Sequence, residues 1–261
     1  MNRSNIEWTE ATWNPVTGCS KISSGCKYCY AERWALMQEK RGISQYRNGF
    51  SLTLAPERLN DPKKWQTPKL IFVNSMSDLF HEEIPEDYIR KVFQVMNDTP
   101  RHTYQILTKR IERVKKICSE LTWSNNIWLG VSVEKNDNHY RVDILKRIPS
   151  QIKFISYEPL LELINQYNYE NIDWVLVGGE SGGKARKMEE GWALSLKNTC
   201  LAQKVPFFFK QWGKKENNPN HDDPTINKSS PMHAKGGCML NGEFFRNYPK
   251  IKQNGTAFKY R

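Results

Sequence analysis

Five short apolar runs, each ending in small or polar residues, punctuate the chain. They are KLIFVNSMSD (69–78), TYQILTKR (103–110), NIWLGVSVE (126–134), QIKFISYEP (151–159) and DWVLVGGESG (173–182). Their shortness and β-branched content read as buried parallel strands. Amphipathic stretches separate most of them. EDYIRKVFQVMND (86–98) carries apolar residues at 89, 92, 93 and 96, and RIERVKKICSEL (110–121) and HYRVDILKRI (139–148) repeat the pattern. Strands alternating with helices at this spacing predict an α/β fold, a mostly parallel sheet with helices outside. An opening strand before Cys19 makes six βα units. VPFFFKQWG (205–213), after the helical GWALSLKNTCLAQK (191–204), reads as a seventh strand. Beyond Gly213 the pattern dissolves into the polar loop KKENNPNHDDPTINKSSP (214–231) and a small hairpin in GGCMLNGEFFRNYP, turned at Asn241-Gly242. The expected division is a body over 1–213 and a basic extension over 214–261.

In such sheets ligands sit at the carboxyl ends of the strands. Those ends are polar here: Ser75, Ser77 and Asp78; Lys109 and Arg110; Ser132 and Glu134; Tyr157 and Glu158; Gly178, Gly179 and Glu180. Helix N-capping favours some of the same residues. Five successive ends of this kind, with Glu134 and Glu158 directly after their strands, nevertheless point to a shared site.

Three of the six cysteines, Cys19, Cys26 and Cys29, fall in WNPVTGCSKISSGCKYCYAERWA (13–35) with C-x6-C-x2-C spacing. The stretch MNRSNIEWTEATW has no signal-like apolar region, and no run approaches the ~20 residues of a membrane span. A cytoplasmic protein with reduced thiols is therefore expected, and its cysteines point to metal or catalysis rather than disulfides. Thiolates suit zinc or an iron-sulfur cluster. The local set stops at three, which leaves a cluster with one open iron, zinc with a distant fourth ligand, or no metal. Cys118 and Cys200 sit on helical segments and read as core. Cys238, in the glycine-rich and basic KGGCML, reads as exposed or as a hydrogen-atom donor, and Tyr157 is a comparable donor candidate. His81, in DLFHEEIP, lies near the expected site.

The aromatic Tyr28 before the third cysteine, and a loop running straight into a helix in GCKYCYAERWA, resemble the radical S-adenosylmethionine (SAM) superfamily. The blocks WNPVTGCSKISSGCKYCYAE, VNSMSDLFHE, LTKR, GVSVE, EPLL, VGGESG and PFFFKQWG, in that order, resemble the phage and prophage radical-SAM-like proteins of uncharacterised function. The resemblance spans most of residues 5–245. It implies a partial (βα)6 TIM-like barrel, a 4Fe-4S cluster on Cys19, Cys26 and Cys29, bound SAM, and one-electron cleavage to a 5′-deoxyadenosyl radical fed by an electron donor. The superfamily's usual spacing is C-x3-C-x2-C, so the first loop here is three residues longer. Where many members carry Gly-Gly-Glu for the SAM amine, this chain has NSMSD, which assigns that role to Ser75, Ser77 or Asp78. Ser132 and Glu134 are then placed for the ribose or the amino-acid end. Gly178 and Gly179 then allow backbone approach to the adenine, Lys109 and Arg110 are placed for the SAM carboxylate or a substrate phosphate, and Glu158 is a further cofactor-binding candidate.

Charge bears on the partner. Residues 1–180 carry 24 Lys/Arg against 22 Asp/Glu, and residues 181–261 carry 15 against 6. A basic end with aromatics suggests nucleic acid, to be modified or repaired. The alternatives are a radical SAM enzyme acting on a peptide or small molecule with a partner protein, and a non-enzymatic, metal-stabilised nucleic-acid-binding protein.

Overall fold

The computed structural model describes residue 4 and residues 6–250. The chain is α/β and divides into two compact units. The first holds the chain up to Val133 together with Asp137–Lys153; the second holds Glu134–Asn136 and the chain from Phe154 onward. Among the described residues no helix is long and apolar enough to cross a membrane.

In the first unit the elements are β1 (Ala11–Trp13), β2 (Val16–Thr17), α1 (Tyr30–Lys40), β3 (Thr53–Leu54), β4 (Leu70–Val73), α2 (Glu86–Asp98), β5 (Thr103–Thr108), α3 (Ile111–Ile117), β6 (Ile127–Ser132) and α4 (Tyr140–Leu145). β1, β4, β5 and β6 pair side by side in that order, all parallel. The four residues of β4 and the six of β6 are all buried, so both faces of these parallel strands are covered and neither strand alternates. α2 turns Tyr88, Ile89, Val92, Phe93, Val95 and Met96 inward, while Glu86 and Asp87 occupy its first turn, where the helix dipole favours negative charge. The expected strands, and the helix at 86–98, are therefore present. The short antiparallel pair β2–β3, with Val16 opposite Leu54, has no periodic signal in so few residues.

In the second unit the Phe154–Tyr157 part of β7 (Ile152–Tyr157), β8 (Trp174–Gly178) and β9 (Phe207–Gln211) are parallel neighbours, and α5 (Glu190–Ala202) joins the last two. No helix forms between β7 and β8 among the described residues. The segment 158–173 instead spends its N–H groups on the main chain of other segments: Leu160 donates to Gly178 and Leu161 to Glu134. Phe207, Phe208, Phe209 and Trp212 are fully buried, so these aromatics are core rather than a stacking platform. Trp174 packs edge-on against Phe208 and donates to the Asn247 carbonyl at 2.8 Å. The tail turns at Asn241 and Gly242, both with positive φ, and closes with a bridge between Leu240 and Glu243, as their sequence predicts. The polar loop 214–231 is organised around Asp223. Its carboxylate accepts from Thr225 N (2.8 Å), Thr225 Oγ1 (2.6 Å) and Asn218 Nδ2 (3.0 Å).

Two glycines permit backbone contacts that a side chain would block. A Cβ on Gly18, which has φ +80°, would lie 2.1 Å from the Ser51 carbonyl oxygen; a Cβ on Gly179 would lie 2.2 Å from that of Trp212. Close approach of Trp212 thus explains glycine at 179 without any ligand. Both obstacles are main chain and cannot rotate away. Gly18→Ala should therefore destabilise the first unit by at least about 2 kcal/mol. Gly183→Ala, which meets nothing within 4 Å, should stay within roughly 0.5 kcal/mol of wild type. Urea unfolding midpoints compare the two.

Candidate metal and ligand site

The cysteine loop leaves β1 and is laced to the loop that leaves β4. Gly18 N donates to the Met76 carbonyl at 3.0 Å, and Ser77 Oγ donates to the Gly18 carbonyl at 2.6 Å. Asn14 Oδ1 accepts from Ser75 Oγ and from Met76 N, both at 3.1 Å. Tyr30, the first residue of α1, donates its hydroxyl to the Ser75 carbonyl at 2.5 Å. Asn74 takes a positive φ of 57°, a conformation asparagine tolerates, and its Oδ1 accepts from Val16 N. Cys26 closes a 3₁₀ turn, Cys29 is the N-cap of α1, and all three thiols of the loop are partly accessible. Cys29 also packs against the small core of Ala31, Ala35, Tyr46 and Met76.

Asp78 joins β4 to β5. Its carboxylate accepts from Phe80 N at 3.0 Å, Thr108 Oγ1 at 2.8 Å and Lys109 N at 2.9 Å. Next along the chain is Arg110, whose guanidinium is 2% exposed. Its Nη2 donates to Ser20 Oγ at 2.8 Å and to the Ser20 carbonyl at 3.1 Å, and it lies 3.9 Å from Cys19 Sγ. Nε sits 3.3 Å from Glu82, and Nη1 has no hydrogen-bond partner among the described residues. His81 is a further neighbour. Its Nδ1 accepts from Glu83 N at 3.2 Å, which assigns the proton to Nε2, 2.8 Å from Ser20 Oγ. Burial, then the Arg110 charge, hold the His81 pKa below its ordinary value and keep the ring neutral.

Cys19 reads this electrostatic setting. Burial first, then the Asp78 carboxylate, push its thiol up to about 12; Arg110 works in the opposite sense, and Cys26 and Cys29 add to the rise. Among the described residues, no three His, Cys, Asp or Glu side chains converge on a point where a single metal ion would sit.

The sequence-predicted residues fall into two sets, one in each unit. The first set gathers Cys19, Cys26, Cys29, Ser75, Ser77, Asp78 and Lys109 at the exits of β1, β4 and β5. Ser132 ends β6 in the same unit, and its carbonyl accepts from Arg141 at 2.8 Å. In the second set, Glu134 is fully buried and its carbonyl accepts from Leu161. Glu158 pairs with Lys210 at 2.7 Å beside Gly178. Glu180 clamps Arg186 through both oxygens, at 2.8 and 2.5 Å, and so fastens the turn after Gly179.

Tyr157 is buried with its hydroxyl 3.0 Å from that of Tyr169, and burial raises its pKa well above the ordinary value. Cys238 is not exposed as its context predicted. It is fully buried, Arg246 Nη2 lies 3.0 Å from its sulfur, and burial raises its pKa. Cys118 also departs from expectation. It lies half-exposed at the end of α3, its thiol directed at the Lys115 carbonyl, because the helix tightens into a 3₁₀ turn there. Cys200 is core, as expected.

Residues 3–249 match the model of a family described as a protein of unknown function, DUF5131. The chain belongs to that family. No curated protein and no solved structure matches it significantly. In this member of DUF5131, the residues that sequence reasoning passed over are Asn14 and Ser20. Their one local signal is that Asn14 precedes a proline; their side-chain partners lie more than sixty residues away.

The opposing influences on Cys19 are separable. In the iron-free chain at pH 8, Asp78→Asn should speed alkylation of Cys19 several-fold by lowering its pKa, whereas Arg110→Gln should slow it. Simple loosening of the loop would speed both. Peptide mass spectrometry after timed iodoacetamide quenching reads the rates.

Proposed function

We propose that the protein is a radical SAM enzyme holding a 4Fe-4S cluster on Cys19, Cys26 and Cys29. The observation that carries this reading is the gathering, within one unit, of Cys19, Cys26 and Cys29 with Asp78, Lys109 and Arg110 at the exits of three parallel strands. The donor set fits. The Cys19 thiol resists ionisation unless a bound cation takes up its charge, and metal binding to thiols displaces their protons. A cube attaches each thiolate to a different iron, so its ligands need not converge on one ion. The α/β architecture with parallel strands supports, at the level of fold class, the partial (βα)6 TIM-like barrel that the resemblance implies. When bound, the cluster and SAM together supply one-electron chemistry that generates a 5′-deoxyadenosyl radical.

The chain's own residues do the positioning. Ser77 and Asn14 fix the cysteine loop. Arg110 offers an N–H toward the Cys19 sulfur, a charge-assisted contact that favours the thiolate. Asp78 spends three acceptor positions on Phe80, Thr108 and Lys109. A carboxylate has about four such sites, which leaves one for an incoming amine. Cys238 and Tyr157 are hydrogen-donor candidates only if their burial is relieved. The reading requires reduced thiols and an electron donor, and so puts the working protein in the cytoplasm.

Anaerobic reconstitution with iron and sulfide should give about four irons per chain and SAM cleavage on reduction. Cys19→Ala, Cys26→Ala and Cys29→Ala should each lose both, and Cys118→Ala should lose neither. One zinc and no iron in protein prepared without oxygen would sink the reading.

We further propose that the substrate is a nucleic acid met by the basic region 181–261, of which Lys252, Lys259 and Arg261 lie outside the described residues. Lys215, Lys228 and Lys235 are exposed there. The burial of the aromatic strand leaves charge as the main support. Log affinity for a short single strand should fall with log salt by roughly 0.7 to 0.9 per phosphate contact. Reversing the three lysines to Glu should flatten that slope in an anisotropy titration while leaving the iron count unchanged. A wild type that binds no nucleic acid at ~50 mM salt hands the role to a peptide or small molecule.

A further inference from the structure

We propose that the cleft beside the cysteine loop binds a phosphate group, with Arg110 as its anchor. The proposal adds a substrate class to the enzyme reading and rests on that reading only for the cleft's part in a reaction.

The cleft has a volume of about 550 Å³ and lies wholly within the first unit, lined in part by Ile22, Lys109, Arg110, Arg113, Lys116 and Arg141. That is room for a ligand larger than a bare ion. Three carboxylates, Glu82, Glu86 and Glu112, also reach it, so five cations face three anions. An excess of two positive charges suits a dianion.

Arg110 is what makes this a built site rather than a basic surface. Its guanidinium is 2% exposed, yet Nη1 has no acceptor among the described residues. Its one ion-pair partner among the described residues, Glu82 at 3.3 Å, is itself 65% exposed. A buried guanidinium supported so thinly is poorly compensated unless a ligand brings further acceptors. Other donors on the same wall are already engaged with main-chain carbonyls. Arg113 donates to those of His81 and Ile84, and Arg141 to that of Ser132. These bonds hold the wall rigid and leave the N–H groups of Arg110 Nη1 as its unspent donors. A phosphate oxygen fits there, and Lys116, exposed on α3, adds a point charge at the rim. A carboxylate ligand would merely repeat what Glu82 supplies, whereas a phosphate adds a second charge and a third oxygen.

The test is isothermal titration of the iron-free chain with inorganic pyrophosphate at fixed ionic strength. One site of roughly 0.1 to 1 mM is expected. Lys116→Gln should weaken it about five- to tenfold, and Arg110→Gln should abolish it. Lys115→Gln, on the same helix but outside the lining, should leave it unchanged. Lys116→Gln keeps the test decisive if Arg110→Gln fails to fold.

Two further arms identify the source of the phosphate. Displacement by a 5′-mononucleotide assigns the cleft to a terminal phosphate; displacement only by a four-nucleotide single strand assigns it to a backbone diester. Either result supports the proposal. Equal weakening in Lys115→Gln and Lys116→Gln, or displacement of pyrophosphate by free methionine, overturns it. The first outcome would mean diffuse surface charge and the second a carboxylate site. Protein that binds iron and cleaves SAM but ignores pyrophosphate sinks this inference alone. Protein that binds pyrophosphate but takes up no iron sinks the enzyme reading and leaves the anion cleft standing.

Discussion

The Asp78 carboxylate is the interaction on which the first unit's ligand end depends. Parallel strands leave their carboxyl ends as loops, and nothing in the sheet itself dictates how two neighbouring loops meet. Asp78 supplies that instruction by accepting from Phe80 within its own turn and from Thr108 and Lys109 on the next strand's exit. Its two oxygens fix where Arg110 starts, and Arg110 in turn reaches Ser20 beside the first cysteine. A chain of charge-assisted bonds thus runs from β4 to β5 and on to the loop after β1. Such bonds are short, directional and about twice the strength of neutral ones.

Backbone contact completes what the charges begin. Gly18 sits against Ser51, with no room for a side chain, and bridges to Ser77. The cysteine loop is therefore held from two sides, by the segment before β3 and by the loop after β4. The three residues by which its Cys19–Cys26 spacing exceeds the usual pattern are absorbed at 20–26, by a bend and the 3₁₀ turn of Ser24–Cys26, while both ends stay anchored. Loop closure costs grow only slowly with length, so such an insertion is thermodynamically mild.

How much of this was legible in the sequence follows from how far each signal reaches. The strands and α2 declare themselves through apolar runs and a 3.6-residue period, both local. The three cysteines and the polar strand ends are local too, and within each unit the parallel direction of the strands puts the latter at the carboxyl ends. The lacing of Asn14 to Ser75, and of His81 and Arg110 to Ser20, is invisible because each pair is separated by some sixty to ninety residues and involves ordinary polar side chains. The missing helix between β7 and β8 was hidden for another reason. Pro159 and the asparagine- and tyrosine-rich PLLELINQYNYEN lack a helical period, but the lack of a period does not say what replaces it. Cys238 misled because its Gly-Gly context looks mobile. Here those glycines let the chain turn in close beneath Asp223 and Asn218, which buries the thiol.

Opposite charge requirements meet at the loop after β1, and this explains its layout. Cys19, Cys26 and Cys29 together with Asp78 form a region that favours a cation, since burial, Asp78 and the other two sulfurs all raise the cost of ionising Cys19. One side chain away, Arg110 is buried with too few acceptors and favours an anion. Left alone, each half is poorly compensated, and the single contact between Arg110 Nη2 and Cys19 Sγ at 3.9 Å is too long to satisfy either fully. On the proposed readings, a metal cluster on the thiols would relieve the first half and an anionic group on the guanidinium the second, and Arg110, lying between them, would face negative charge on both sides.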